Sequence, residues 1–330
     1  MKVEQNKIDA LNIELTLEIA AADYAQAEKK KLNDRRRTAE FKGFRKGMVP
    51  ASLIQKVYGE QCLVDAVNDV ITSELDKYIS ENNLHILGEP LGSEKQPEIE
   101  WKSGNDFTFI FDIALSPAIS VEVEKDDTVP QYSVTVTAKD KEPMKESLKK
   151  YYEEKKEEKT DEDIEKEVTD RLKEEYRQEA EWRLSKDIKD FYIAKSGVAL
   201  PEEFLKRWLF VANQGKVTKE DVEKEFPAFC EDFKWQLVRG FLMKKYDLKV
   251  EESDLQEAAK AYVRYQYAMY GMGDVPEDII NQSLVTVLQD QKQVERIAEQ
   301  VEDQKVLAKV KETITIKATK IGAAKFRELK

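Results

Sequence analysis

Between Gly104 and Gly197 this chain has no glycine, and between Pro143 and Pro201 no proline. These two residues are the usual interruptions of regular backbone, so such a stretch permits very long helices. Within it Ile164, Val168, Leu172, Tyr176, Ala180, Leu184 and Ile188 recur at every fourth position, with Phe191 three further on. Positions four apart lie on one side of an α-helix. The pattern predicts a single helix through 164–191, about 42 Å long at 1.5 Å per residue. The same stretch is heavily charged at its start: 26 of the 37 residues from Lys139 to Glu175 are ionisable, 15 acidic and 11 basic. Opposite charges four apart, such as Glu167 and Arg171, support a solvated helix face. Residues 152–163 carry no apolar stripe, and a connecting segment is expected there.

The sequence on either side differs in kind. Ile8 to Ile19 alternates apolar and polar, the period of a half-buried strand. Helices are expected over 22–37 and 51–82; the second carries Leu53, Ile54, Val57, Leu63, Val64, Val67, Val70, Ile71, Leu75 and Tyr78 at threes and fours. Gly43, Gly47 and Pro50 break the chain between them. Strands are expected over 107–113 and 132–136. Beyond Pro201 the pattern is helical: a helix with Phe204, Leu205, Trp208, Leu209 and Val211, then helices over 229–246 and 253–269. Thr218 and Asp221 form a capping pair, and Ser253 is read as an N-cap. A further helix starts at Pro276 and runs, with or without a break, to Lys309, followed by an alternating segment at 312–319. The expected architecture is an α+β N-terminal domain with a projecting helical hairpin (1–137), a charged connecting segment (138–163), and a mainly α-helical C-terminal domain with extended arms (164–330).

Composition removes several functional classes. Cys62 and Cys230 lie far apart with no second ligand pair beside them, which excludes a disulfide scaffold or zinc ribbon. His85 is the single histidine, so metal sites rich in histidine are out of reach. No phosphate-binding glycine loop, dinucleotide fingerprint or Gly-x-Ser-x-Gly elbow occurs. No apolar run approaches the roughly 20 residues of a membrane helix, and Met1–Asn6 leads into polar sequence without an apolar signal core. The expectation is a cytoplasmic protein that needs no cofactor or metal and contacts no membrane.

The feature that points to a partner is a basic hairpin. Residues 29–46 hold nine positive charges (Lys29, Lys30, Lys31, Arg35, Arg36, Arg37, Lys42, Arg45, Lys46) against Asp34 and Glu40, a net +7 in a chain whose formal charge is −12. A local basic patch on an acidic molecule suits a specific anionic partner while the remaining surface repels indiscriminate contact. At its tip Phe44 stands beside Arg45 and Lys46, framed by Gly43 and Gly47. A guanidinium pairs bidentately with phosphate or carboxylate, and an aromatic ring stacks or fills a pocket. A solvated helix face with a breaker loop has the same composition.

The run Gly43-Phe44-Arg45-Lys46-Gly47 with Pro50 resembles the ribosome-docking signature of the trigger factor family, bacterial chaperones of the tunnel exit. Tyr58-Gly59, Leu87-Gly88-Glu89-Pro90 and Phe107-Thr108-Phe109 follow in that family's order. Val198-Ala199-Leu200-Pro201, Tyr246-Asp247-Leu248-Lys249-Val250, Tyr270-Gly271 and Val275-Pro276 resemble its C-terminal domain. The resemblance covers residues 1–137 and about 160–330. Family members usually carry an FKBP-like prolyl isomerase domain between these parts; the charged segment here leaves no room for it, so isomerase activity is not carried over. What the resemblance implies is an ATP-independent chaperone docked on the large ribosomal subunit, on protein and ribosomal RNA, through Gly43, Phe44, Arg45, Lys46, Gly47 and Pro50. It further implies unfolded nascent polypeptides as partners and a homodimer off the ribosome.

A chaperone surface needs adaptable apolar side chains, for which methionine and tyrosine are suited. The expected client-binding residues are Phe204, Trp208, Met243, Tyr262, Tyr265, Met269 and Met272, with Phe241, Tyr267 and Tyr270 as further candidates. Ordinary helix packing would use the same residues. A ribosome-independent holdase or helical adaptor, and a retained prolyl isomerase, are the alternative readings.

Overall fold

The computed structural model describes residues 1–213, 216–273 and 275–329. In chain order the elements begin with β1 (Lys2–Lys7), β2 (Asn12–Ile19), α1 (Ala21–Thr38), α2 (Ala51–Glu81), β3 (Ile86–Gly92), β4 (Phe107–Leu115) and β5 (Thr128–Thr135). They continue with α3 (Ala138–Lys155), α4 (Asp161–Ser196), α5 (Glu202–Ala212), α6 (Lys219–Lys245) and α7 (Glu252–Met269). The last are α8 (Glu277–Gln289), α9 (Gln291–Thr313), β6 (Thr315–Gly322) and α10 (Ala323–Glu328). The chain divides into two compact units, each assembled from two separate stretches: Met1–Ala118 with Ala199–Cys230, and Ile119–Val198 with Glu231–Lys330. The expected boundaries near 137 and 163 are not where these units part.

In the first unit an antiparallel sheet runs in the order β1-β2-β4-β3. The two-residue period of β2 turns Ile13, Leu15, Leu17 and Ile19 to one face, where they meet Leu63, Val67, Ile71 and Leu75 of α2 and Phe107 and Phe109 of β4. Each such fully buried side chain contributes roughly 1.5–3 kcal/mol. Ile8, expected within the strand, lies outside it: the Asp9 carboxylate accepts from the amides of Leu11 and Asn12 and turns the chain between β1 and β2. Neither β1, polar except for Val3, nor the glycine- and proline-bearing β3 announced itself by alternation.

Close packing explains the Leu87-Gly88-Glu89-Pro90 run. Gly88 has φ +70°, inside a break in the β3–β4 register between Leu87 and Leu91. A Cβ there would stand 2.8 Å from the indole nitrogen of Trp208 on α5. The preceding residue, Arg207, donates to the Asp112 carboxylate at 2.7 Å and the Gly92 carbonyl at 3.0 Å. These contacts anchor α5 in the first unit.

In the second unit α4 is a continuous helix of 36 residues. Thr160 caps its start, its hydroxyl accepting from the Asp163 amide at 3.1 Å, and Gly197 ends it at φ +60°. The predicted stripe is buried throughout and continues to Tyr192; Phe191 is half-buried beside it. A step of four overshoots a full turn by about 40°, so the stripe winds around the helix rather than running straight. Ile164 to Ala180 therefore pack in one cluster with Leu148 of α3 and with Ala323 and Phe326 of α10. Leu184, Ile188 and Tyr192 pack in another, with Trp235, Val238 and Leu242 of α6 and Val306 and Val310 of α9.

The charged segment expected to connect domains is mostly helix. α3 lies along α4 in a hairpin: Leu148 is buried, Lys145 pairs with Glu165 at 2.9 Å, Lys149 with Asp161 at 2.6 Å, and the Tyr152 hydroxyl donates to Glu167 at 2.7 Å. Surface pairs of this kind contribute about 0–1 kcal/mol each; they select the pairing more than they stabilise it. Two other expectations change in detail. At the start of α7 Asp254, not Ser253, makes the cap, accepting from the Glu251 amide at 2.8 Å. Asp290 breaks the helix after Pro276 and its side chain accepts from the Lys292 and Gln293 amides to begin α9.

β5 and β6 pair in parallel, Thr128 opposite Thr315 through Thr135 opposite Gly322. Immediately after β6, α10 seats Phe326 between Tyr132 and Tyr176, with ring centroids at 5.9 and 6.3 Å. Burying one such ring contributes about 2–3 kcal/mol, whereas ordering each backbone residue costs roughly 1–2 kcal/mol. Docking of this six-residue helix is therefore marginal.

α4, α6 and α9 are joined through Asp303. Its carboxylate accepts from Trp235 at 2.7 Å, Arg239 at 3.0 Å and Lys189 at 2.5 Å. Burial alone would raise this carboxyl, but hydrogen bonds from Lys189 and Trp235, with the charges around it, outweigh that and hold it below the ordinary aspartate value. A depressed carboxyl contributes stability above its unfolded value and loses it as pH falls through the folded one. Asp303→Asn should destabilise the protein by roughly 2–3 kcal/mol, below a fully buried pair because Asp303 keeps some solvent contact. Chemical denaturation should also show the variant losing less stability than wild type below about pH 4. Gly88→Ala should cost about 1–2 kcal/mol, with the denaturation midpoint lowered and Trp208 emission altered in the native state.

Candidate functional site

The basic hairpin is α1 and α2, closed by residues 39–50. Two consecutive turns build its tip. The Phe44 amide donates to the Phe41 carbonyl at 3.0 Å, and the Met48 amide to the Arg45 carbonyl at 2.9 Å. In each turn the third residue is a glycine with positive φ, Gly43 at +93° and Gly47 at +80°. That is the left-handed position a type II turn reserves for glycine. The four-residue spacing of the glycines is thus the spacing of two turns in series, and it presents Phe44, Arg45 and Lys46 outward. Pro50 precedes the first residue of α2, where its missing N–H is no loss and its carbonyl accepts from the Leu53 and Ile54 amides.

A small core supports the tip: Ala39, Val49 and Ile54 are buried, with Leu32, Phe41, Leu53 and Tyr58 packed around them. Arg36 donates to the Val49 carbonyl at 2.9 Å, and Arg35 lies 5.4 Å over the Tyr58 ring. Phe44 is 43% exposed and Met48 68% exposed. Met48 was not among the sequence candidates; its place between Gly47 and the buried Val49 is the signal that it faces out. Lys46 lies 3.6 Å from Glu40, whereas Arg45 has no ion-pair partner among the described residues. The tip therefore offers an unpaired guanidinium flanked by two exposed apolar side chains.

The expected client residues separate into four groups. Phe204 is buried in α5, and Trp208 is half-buried against Gly88, so both serve packing of the first unit. Met243 and Phe241 are half-buried at the margin of the α4–α6–α9 cluster. Tyr262 packs against the small α7–α8–α9 core, its hydroxyl accepting from Gln266 at 2.6 Å, and the Tyr267 hydroxyl lies 3.0 Å from Ser283. Tyr265, Met269, Tyr270 and Met272 are instead exposed, between 56% and 84%. Gly271, at φ +78°, ends α7: its amide bonds to Ala268 and that of Met272 to Tyr267. This Schellman arrangement turns the chain and leaves the four side chains outside the helix pair. Ile279 and Val285 of α8 add exposed apolar surface. Between α7 and α9 an open groove of about 880 Å³ is lined by Ala258, Ala261, Ala308, Tyr262 and Tyr265.

Among the described residues no group of three or more His, Cys, Asp or Glu side chains is arranged to hold a metal ion. Cys62 is buried, which pushes its thiol up, and His85 is exposed at the end of the turn after α2. No helix among the described residues is long and apolar enough to cross a membrane.

Residues 1–151 match the family described as "Bacterial trigger factor protein (TF)", and residues 180–330 match "Probable trigger factor, C-terminal domain". The chain belongs to the trigger factor family. Trigger factor of Francisella tularensis subsp. novicida (strain U112) is 27% identical over 149 residues, 45% of this chain and 33% of that protein. Trigger factor of Clostridium perfringens (strain 13 / Type A) is 29% identical over 141 residues, 42% of this chain and 32% of that protein. The matched stretch thus spans about a third of each relative's length. A solved chain from "Promiscuous Substrate Recognition in Folding and Assembly Activities of the Trigger Factor Chaperone" aligns over 94% of this chain and 99% of its own, at 14% identity and a TM-score of 0.49. Between the two family ranges, residues 152–179 hold the end of α3, a turn and the first half of α4, with no domain inserted.

The turn geometry makes a direct prediction. Nothing lies within 4 Å of a Cβ built on Gly43 or Gly47, so substitution there meets only the backbone cost. Gly47→Ala should destabilise by about 1 kcal/mol and Gly47→Asn by less than half of that, since asparagine tolerates the left-handed region. Tryptic cleavage after Arg45 and Lys46 should accelerate in the same order.

Proposed function

We propose that the protein is an ATP-independent chaperone that docks through the α1–α2 tip on the large ribosomal subunit near the nascent-chain exit. The observation that carries this reading is the tip itself: two glycine turns in series displaying Phe44, Arg45, Lys46 and Met48 at the end of the 29–46 segment, which carries a net +7 in a −12 chain. Arg45 and Lys46 pair with ribosomal RNA phosphate or an acidic protein side chain, while Phe44 and Met48 fill an apolar depression. The cytoplasm is the compartment this partner implies. Nascent, unfolded segments are held by many weak apolar contacts on Tyr265, Met269, Tyr270 and Met272 and along the adjoining α7–α9 groove. Release needs no nucleotide, because a client that buries its own apolar surface no longer has anything to offer the site. This reading assigns no prolyl isomerase step, and α3–α4 stands where such a domain would be inserted.

Cosedimentation with purified bacterial ribosomes tests the docking half. The combined variant Phe44→Ala, Arg45→Ala, Lys46→Ala should lose at least ten-fold in affinity. Its double-logarithmic salt dependence should flatten by about one for each phosphate contact removed. Binding unchanged by the three substitutions would leave a ribosome-independent holdase. For the client half, Tyr265→Ser, Met269→Ser, Tyr270→Ser and Met272→Ser together should leave stability within about 0.5 kcal/mol, as expected of exposed positions. The same variant should suppress aggregation of a denatured model protein markedly less than wild type.

A further inference from the structure

We propose that the α4 groove beneath α10 is a second peptide-binding site, for segments with a bulky aromatic residue followed by arginine, and that α10 occupies it in cis. That such segments come from unfolded clients rests on the chaperone reading above. α10 presents Ala323, Phe326 and Leu329 inward, while Ala324, Lys325, Arg327 and Glu328 face solvent. Phe326 is the one large side chain it inserts, edge-on between the rings of Tyr132 and Tyr176. Arg327 is recognised separately: it donates to the Tyr176 hydroxyl, lies 5.8 Å from that ring's centre, and is 4.0 Å from Asp140. Arg183, held by Asp187 at 2.8 Å, donates to the Leu329 carbonyl, a contact with backbone that any peptide could supply.

The groove is larger than its occupant. A cavity of about 480 Å³ continues past α10, lined by Gln178, Glu179, Trp182, Arg183, Phe326 and Leu329. Trp182 is 58% exposed at its edge, with the Lys186 ammonium 5.7 Å from the ring centre. A helix whose only function was to close the core would be expected to cover that tryptophan. An aromatic slot, a cation-recognising tyrosine–aspartate pair, a backbone clamp and an unfilled apolar extension together form a binding site for extended chain. α10 satisfies the first three with one anchoring ring, so a competing segment that also reaches Trp182 can displace it.

The test is fluorescence anisotropy with a fluorescein-labelled peptide copying residues 322–330, titrated with the full chain and its variants. Phe326→Ala empties the slot and should bind the peptide at least ten-fold more tightly than wild type. Arg327→Ala leaves every apolar contact of α10 in place and should give a smaller gain in the same direction; where Phe326→Ala does not fold, this variant decides. The peptide with alanine in place of its phenylalanine should bind neither. The proposal is overturned if neither variant binds better than wild type, or if the gain survives in the alanine peptide. Failure here would leave ribosome cosedimentation and aggregation suppression by the wild type intact. Failure of the chaperone reading would abolish those two measurements and leave peptide exchange as it is.

Discussion

The second unit depends on the burial of one helical stripe. Because its residues step by four and not by 3.6, the apolar line on α4 turns steadily around the helix axis. One end of the helix can then serve α3 and α10 while the other serves α6 and α9, without either end becoming apolar all round. The solvated remainder of α4 carries the charges that keep so long an element soluble. Where α6 and α9 meet it, Asp303 gathers an indole, a guanidinium and an ammonium, so the three helices are fixed in register as well as pressed together.

Large apolar side chains meet different fates in this protein according to what stands opposite them. Trp208 packs closely because Gly88, at φ +70°, has no side chain of its own to stand in the way. Tyr265 and Met269 also lie on an amphipathic helix, yet α8 and α9 close over Ala259 and Val263 and leave these two side chains exposed. Residue type alone does not separate a packed tryptophan from an exposed tyrosine; the presence of a facing glycine or helix does.

Much of this was legible in the residues. The alternation of β2, the stripe of α4, the breakers between α1 and α2 and the Thr218–Asp221 cap all follow from local periodicity and turn chemistry, which tertiary packing then reinforced. The glycine spacing at 43 and 47 had a structural cause that the sequence could state only as a motif: two turns in series. What remained hidden depended on distant partners. α3 has no stripe because it buries little beyond Leu148 and is matched to α4 by charge, and β1 is polar because it is an edge strand paired only with β2. The membership of α5 in the first unit rests on Trp208 and Arg207 meeting residues roughly a hundred positions earlier, a separation no local pattern reports.

Parallel pairing of Thr128 with Thr315 ties the beginning of the second unit to a strand near the other end of the chain. At elongation rates of about 5–20 residues per second, β5 emerges roughly 10–40 s before β6 exists to pair with it. During that interval Val129 and the stripe of α4 have been made, while α6, α9 and α10, which cover much of them, follow only later in the chain. The first unit waits in the same way for α5 to bring Trp208 onto Gly88. Neither unit can be completed in the order of synthesis. The chain therefore passes through its own synthesis with apolar surface that only later segments cover.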